Sequence, residues 1–229
     1  MEVSGERPGK LGEIMTKLTA LFAGAVLSLA ASGAYAGTNL VTNGSFESGT
    51  FVPTDGNYSD ILNPGSTAMT GWTVVDTTNA QVAWDGPTNP YGLTASNGSY
   101  FLDLTSDRDA PPYGGVTQTI STVAGGNYVL TFDLGSSLQY GVPDGLTAYA
   151  GATSELFSST SSGYNVWATE TLDFTATSSS TVLSFIGALG GEYIGLDNVD
   201  VQLVPEPAAL GLLLVGMTAV GVASRRRRG

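Results

Sequence analysis

Short runs in which apolar and polar residues alternate, separated by turn-forming residues, fill the middle of this chain. Tyr128, Leu130, Phe132 and Leu134 alternate with Val129, Thr131 and Asp133. A strand turns successive side chains to opposite faces, so the first set is expected to face a core. Gly125-Gly126-Asn127 supplies the turn before it. Tyr100, Leu102 and Leu104 form a similar run after Asn97-Gly98. Further strands are predicted at 71–75, 81–84, 116–120, 146–150, 167–176, 181–186 and 193–203. No stretch of this region keeps an apolar 3.6-residue period long enough for a substantial helix. Segments 49–70 and 86–97 read as long loops, and Ser158–Gly163 as a short polar turn. Nine or ten strands without crossover helices predict an all-β, two-sheet antiparallel jelly-roll sandwich.

The two ends of the chain follow another pattern. Leu18 to Ala31 is an unbroken apolar run of fourteen residues, with Lys17 before it and Ala34-Tyr35-Ala36 after it. A positive flank, a short apolar core and small residues at the cleavage positions make a secretory signal, so residues 1–36 read as a signal helix removed by signal peptidase. Glu2, Glu6 and Glu13 fit poorly in front of such a signal, and a start at Met15 suits it better. At the other end, sixteen uncharged residues, Ala208 to Ala223, precede Ser224 and the cluster Arg225, Arg226, Arg227 and Arg228. Sixteen helical residues span ~24 Å, a little less than a ~30 Å hydrocarbon core. Arginines that stay on the cytoplasmic side would close that gap and leave the central region outside. The predicted organisation is a signal peptide at 1–36, a β-sandwich domain at 37–204 and a tail at 205–229 with a transmembrane helix at 208–224.

Charge divides along the same boundaries. The chain holds 8 basic and 20 acidic residues and no histidine. Within residues 37–204 the only basic residue is Arg108, against sixteen acids, for a formal charge near −15. Such a domain cannot neutralise phosphates, which argues against a nucleic-acid partner. Cysteine is absent, so no disulfide holds the exported domain together.

Two resemblances add to this reading. Pro205-Glu206-Pro207, the apolar helix and the arginine cluster resemble the PEP-CTERM sorting signal of Gram-negative bacteria. That likeness implies an exosortase as partner and delivery to the cell surface or extracellular matrix. The central domain carries 39–47 (NLVTNGSFE), 71–74 (GWTV), 98–104 (GSYFLDL), 126–132 (GNYVLTF) and 195–201 (GLDNVDV). In these segments it is similar to galactose-binding-like sandwiches, found in carbohydrate-binding modules and in a plant cell-wall domain family of unknown function.

Candidate chemistry is limited by what is missing. Without histidine, cysteine or a lysine in the domain, the usual triads, thiol nucleophiles, Schiff bases and zinc sites are unavailable. Paired carboxylates for glycoside hydrolysis remain conceivable at Asp107/Asp109 and Asp197/Asp200, without a recognisable glycosidase pattern. The resemblance implies a structural Ca2+ shared by Glu47 and Asp197. Strand parity supports it: Asp197 alternates with Val199, Val201 and Leu203 and is expected to point inward, where a carboxylate with no cationic neighbour needs a metal. The competing expectation is that Asp197 accepts backbone N–H bonds. For a sugar, aromatic faces with amide or carboxylate oxygens nearby are needed. Trp84, Tyr91, Tyr113, Tyr140 and Trp167 are the candidate platforms, with Asp85, Asn89 and Gln139 beside them. The sequence thus predicts a non-catalytic surface or matrix protein that binds extracellular polysaccharide. A structural component assembled through calcium is the alternative.

Overall fold

The computed structural model describes residues 37–75, 79–106, 110–137, 143–159, 163–190 and 193–205. These belong to a compact unit at Gly37–Gly229. The expected signal segment, the helix at 208–224, Arg225–Arg228, Glu206–Pro207, Tyr140, Gln139 and the pair Asp107/Asp109 lie outside the described residues. Among the described residues no helix is long and apolar enough to cross a membrane.

Eleven strands form two antiparallel sheets. They are β1 (Ser59–Leu62), β2 (Thr73–Val74), β3 (Val82–Asp85), β4 (Phe101–Asp103), β5 (Gly115–Ser121), β6 (Asn127–Ser136), β7 (Asp144–Ala150), β8 (Thr153–Ser159), β9 (Val166–Thr175), β10 (Ser180–Leu189) and β11 (Gly195–Leu203). One sheet has the order β1-β3-β4-β11-β6-β9 and the other β2-β5-β10-β7-β8. Within these, β4-β11-β6-β9 lies opposite β5-β10-β7-β8, the interleaved order of a jelly roll, as predicted.

The core between the sheets is built by alternation. Tyr128, Leu130, Phe132 and Leu134 on β6 are buried against Leu172 and Phe174 of β9 and Leu196, Val199 and Val201 of β11. Leu146 and Ala148 of β7, Leu183 and Phe185 of β10 and Val116 and Ile120 of β5 face them from the other sheet. Rings interlock at the centre: Phe132 meets Phe185 edge-on at 5.1 Å and Phe157 at 5.2 Å. Trp72 packs on both Phe46 and Phe185.

Two strands were not expected. The first, β1, lies within the segment read as a loop at 49–70 and pairs with β3. The second, β8, pairs along its whole length with β7 and includes Ser158 and Ser159 of the supposed polar turn. Only Phe157 and Ser159 of β8 are buried. A strand at the margin of a sheet has one solvated edge, and its alternation fades accordingly.

Strand β11 holds a bulge that corrects one expectation. Its pairing with β6 runs in register as far as Asp197↔Asp133, shifts, and resumes at Asp200↔Thr131. Asn198 takes a positive φ of 51°. One extra residue reverses side-chain parity along a strand. Asp197 therefore does not share a face with Val199 and Val201. It turns away from the core, on the same outward side as Asp133.

Candidate functional site

The outward face of the six-stranded sheet is acidic and covered. Register and parity place Asp85 on β3, Asp103 on β4, Asp133 on β6 and Asp197 on β11 there, each buried. Segment 86–97 lies over them as a strap. Its Leu93 is completely buried, in a small cluster with Phe101 and Tyr193. Two glycines make room for it and for Trp167 beside it: a Cβ at Gly195 would fall 2.8 Å from Leu93 Cδ2, and one at Gly135 would fall 2.7 Å from Trp167 Cη2. Trp167 Nε1 donates to the Thr94 carbonyl at 2.8 Å. Asn165 accepts from Thr94 N and donates to Thr94 Oγ1.

Carboxylates fasten the far end of the strap. Asp197 Oδ2 accepts from the backbone N–H groups of Ser96 (2.8 Å) and Asn97 (2.9 Å) and from Ser96 Oγ. Its Oδ1 accepts from Asn198 N at 2.6 Å. Asp133 accepts from Ser96 Oγ, Thr169 Oγ1 and Asn198 Nδ2. Just beyond, Glu47 Oε1 accepts from Ser99 N and Tyr100 N, each at 2.7 Å. Gly98, between these two fastenings, has φ +81°, and a Cβ on it would lie 2.4 Å from Glu47 Oε1. Burial pushes the Asp197 carboxyl up to about 6 against the N–H bonds that lower it. Asp103 is raised well above the usual carboxylate range, by burial first and by the neighbouring Asp85 second. It accepts from Thr105 N, Thr105 Oγ1 and Ile194 N.

The donor set does not fit the calcium expected between Glu47 and Asp197. Calcium is held by a shell of oxygen ligands, whereas here both carboxylates turn lone pairs to N–H groups of one backbone segment. Among the described residues no three acidic side chains are grouped to hold a metal. The parity argument for an inward Asp197 falls with the bulge. Buried Asp197 also leaves the Asp197/Asp200 pair with no more than one carboxylate that a substrate could reach.

The expected sugar platforms scatter. Trp84 shares parity with Val82, fills the core at 1% exposure, and donates from Nε1 to the Phe46 carbonyl, so it offers no ring face to a ligand. Asp85 lies under the strap and accepts from Ser59 Oγ. Tyr113 is buried, with its hydroxyl donated to the Gly190 carbonyl. Tyr91 is exposed and packs edge-on against Tyr58, their hydroxyls 2.8 Å apart. Asn89 holds the strap through Leu93 O and the Tyr193 hydroxyl. Trp167 is half-buried beneath Thr94. The structure brings none of these together as an open cleft.

The outward face of the five-stranded sheet, which sequence reasoning passed over, is open. Thr73, Thr117, Ser184, Tyr149 and Ser154 are successive cross-strand partners from β2 to β8. The next row holds Ile186, Thr147 and Leu156, and Thr119 pairs with Val182 on the other side. All ten of these outward residues are half-buried or exposed. The only charged residues on its five strands are Asp144 and Glu155, neither of which shares parity with these rows. The signal that could have found this face is the repeated threonine and serine at alternate positions of β5, β7 and β10.

Among solved structures the chain is similar to a family 35 carbohydrate-binding module from Clostridium thermocellum, at 12% identity over 62% of this chain and 96% of that one, with a TM-score of 0.41. It is also similar to the CBM22-1 xylan-binding domain of a Paenibacillus barcinonensis protein, at 14% identity over 66% and 98% of the two chains and a TM-score of 0.39. A CBM4 structure is similar at 14% identity, 72% and 99% coverage and a TM-score of 0.38. No curated protein matches the sequence. Residues 39–191, more than half of the 229-residue chain, match the model of a protein family of unknown function, and the chain belongs to that family, DUF642.

Proposed function

We propose that this is an exported, non-catalytic protein of the cell surface or extracellular matrix whose sandwich binds polysaccharide. The observation that carries the reading is a whole sheet face left open with most of its hydroxyls unspent. Among the described residues Thr73, Thr119, Thr147, Tyr149 and Ser154 make no side-chain hydrogen bond. Polyhydroxy ligands are recognised by such donors and acceptors set among apolar and aromatic groups. The signal-like segment at 1–36 and the tail at 205–229 supply the route: export, retention by a membrane helix, and sorting by an exosortase. Catalysis finds little support among the described residues, since Asp103, Asp133 and Asp197 are buried and each accepts hydrogen bonds.

Affinity electrophoresis tests the reading. The purified chain is run through gels cast with different polysaccharides and through a plain gel. Retardation in at least one polysaccharide gel is expected; equal mobility in all of them refutes polysaccharide binding.

A further inference from the structure

The charge of the domain is unevenly placed, and the unevenness selects a ligand. Of its acids among the described residues, four are buried on the outward face of the six-stranded sheet, and none stands on the outward rows of the five-stranded sheet. Among the described residues, then, a domain near −15 keeps the outward rows of five strands free of charge. Its composition adds a second constraint. Seven hydroxyl-bearing residues (Thr73, Thr117, Thr119, Thr147, Tyr149, Ser154 and Ser184) surround three aliphatic ones, Val182, Ile186 and Leu156. Only two of the seven hydroxyls are committed: Thr117 Oγ1 donates to the Leu183 carbonyl and Ser184 Oγ to the Val116 carbonyl.

Resting on the polysaccharide reading, we infer that this face is the binding surface and that its ligand is a neutral glycan chain lying across the strands along the row from Thr73 to Ser154. Tyr149 is the aromatic platform of the row. It is half-buried and makes no aromatic ring contact among the described residues. The aliphatic side chains of Ile186 and Leu156 flank it through the neighbouring Thr147 row and meet the apolar C–H faces of sugar rings. Five strands at the usual spacing span about 19 Å, room for several sugar units.

Charge decides between occupants. A uronate or sulfated chain would bring anions onto a domain with one basic residue, and like charges closer than a Debye length of ~8 Å are poorly screened at physiological salt. A second copy of the chain meets the same repulsion, near −15 against near −15. Protein interfaces also favour apolar and aromatic centres, while this face is mostly hydroxyl.

The test uses the full chain in mild detergent, run through gels containing neutral glucan, neutral mannan, polyuronate or no polymer. Retardation is expected in at least one neutral gel. Thr147→Glu and Tyr149→Ala are each expected to weaken it tenfold or more, and Tyr91→Ala, on the other side of the molecule, to leave it unchanged. Thermal melts verify that the variants are folded; if Thr147→Glu melts early, Ser154→Glu reads the same face from an exposed edge position in the Tyr149 row. Retardation by polyuronate alone, or neutral retardation indifferent to all the row variants, overturns the assignment of face and ligand while polysaccharide binding stands. No retardation in any gel removes both. Sedimentation distinguishes the remaining case: a dimer dissolved by Thr147→Glu assigns the face to a second copy and overturns the inference.

Discussion

The outward positions of β3, β4, β6 and β11 carry aspartates and are roofed by the strap; the outward positions of β5, β7 and β10 carry threonine, serine and tyrosine and are bare. Both sheets bury their inner faces in the same core, so nothing about the sandwich itself requires the difference. It comes from what each set of side chains needs. A carboxylate withdrawn from water must find donors, and the strap brings them as backbone N–H groups at Ser96 and Asn97, with Ser99 and Tyr100 next in line. Hydroxyls in water have no such need. One face is spent on structure, and the other leaves most of its hydroxyls without a partner in the fold.

If that division is right, substitutions on the two faces should act on different properties. The largest effect belongs to the strap anchor. Leu93→Ala removes a fully buried side chain and is expected to cost about 3 kcal/mol, read as a lowered denaturation midpoint, with hydrogen exchange at Ser96 and Asn97 accelerated. Glycan retardation should persist under conditions where the variant is folded.

Acidity comes next. Asp197 has its carboxyl raised by burial to about 6 in the folded chain. A group raised on folding contributes stability that is full below its unfolded value and is lost as pH rises through its folded value. Moving from pH 7 to pH 5 is therefore expected to stabilise the domain by about 1 kcal/mol through Asp197, and Asp103, raised by burial and Asp85, acts in the same direction. Denaturant titrations at the two pH values check it; a domain weaker at pH 5 would show that the buried carboxylates are held by charge rather than despite it.

On the bare face the stability effect is smaller still. Thr119→Glu sits exposed beside Val182 and is expected to alter stability by no more than about 0.5 kcal/mol, while weakening attachment to a neutral glycan. Smallest of all is the response to chelator. With Glu47 and Asp197 occupied by N–H donors, the melting temperature should be the same with and without it, and a drop of several degrees would restore the calcium reading.

Much of the sandwich was legible because its inner strands are long and alternate cleanly. Tyr128 to Leu134 announces a buried face, and Leu102 and Leu104 do the same. Trp84 could have been placed in the core by its parity with Val82, but its position next to Asp85 and a Gly-Pro turn made it look like a loop-end platform. The parity of Asp197 was not legible. A bulge is a relation between two strands, and the one residue that absorbs it, Asn198, looks ordinary in the chain. The strap was hidden for a similar reason. Its seat depends on Gly135 and Gly195 becoming cross-strand neighbours and on Asp133 and Asp197 standing side by side, which no local window contains. The open face is visible as alternating hydroxyls, a fainter mark of a binding surface in a sequence than an aromatic side chain.

The strap also carries a consequence for how the chain reaches its final form. Thr94 bonds to Asn165 across 71 positions of sequence, and Ser96 to Asp197 across 101. Its seat is composed of β4, β6, β9 and β11, so it has nowhere to rest until the C-terminal strand has docked. Contacts of such long range form late because the intervening chain must be ordered first. Protection of the Ser96 and Asn97 amides is thus a clock for the end of folding: the chain acquires it only once its last strand has joined the sheet.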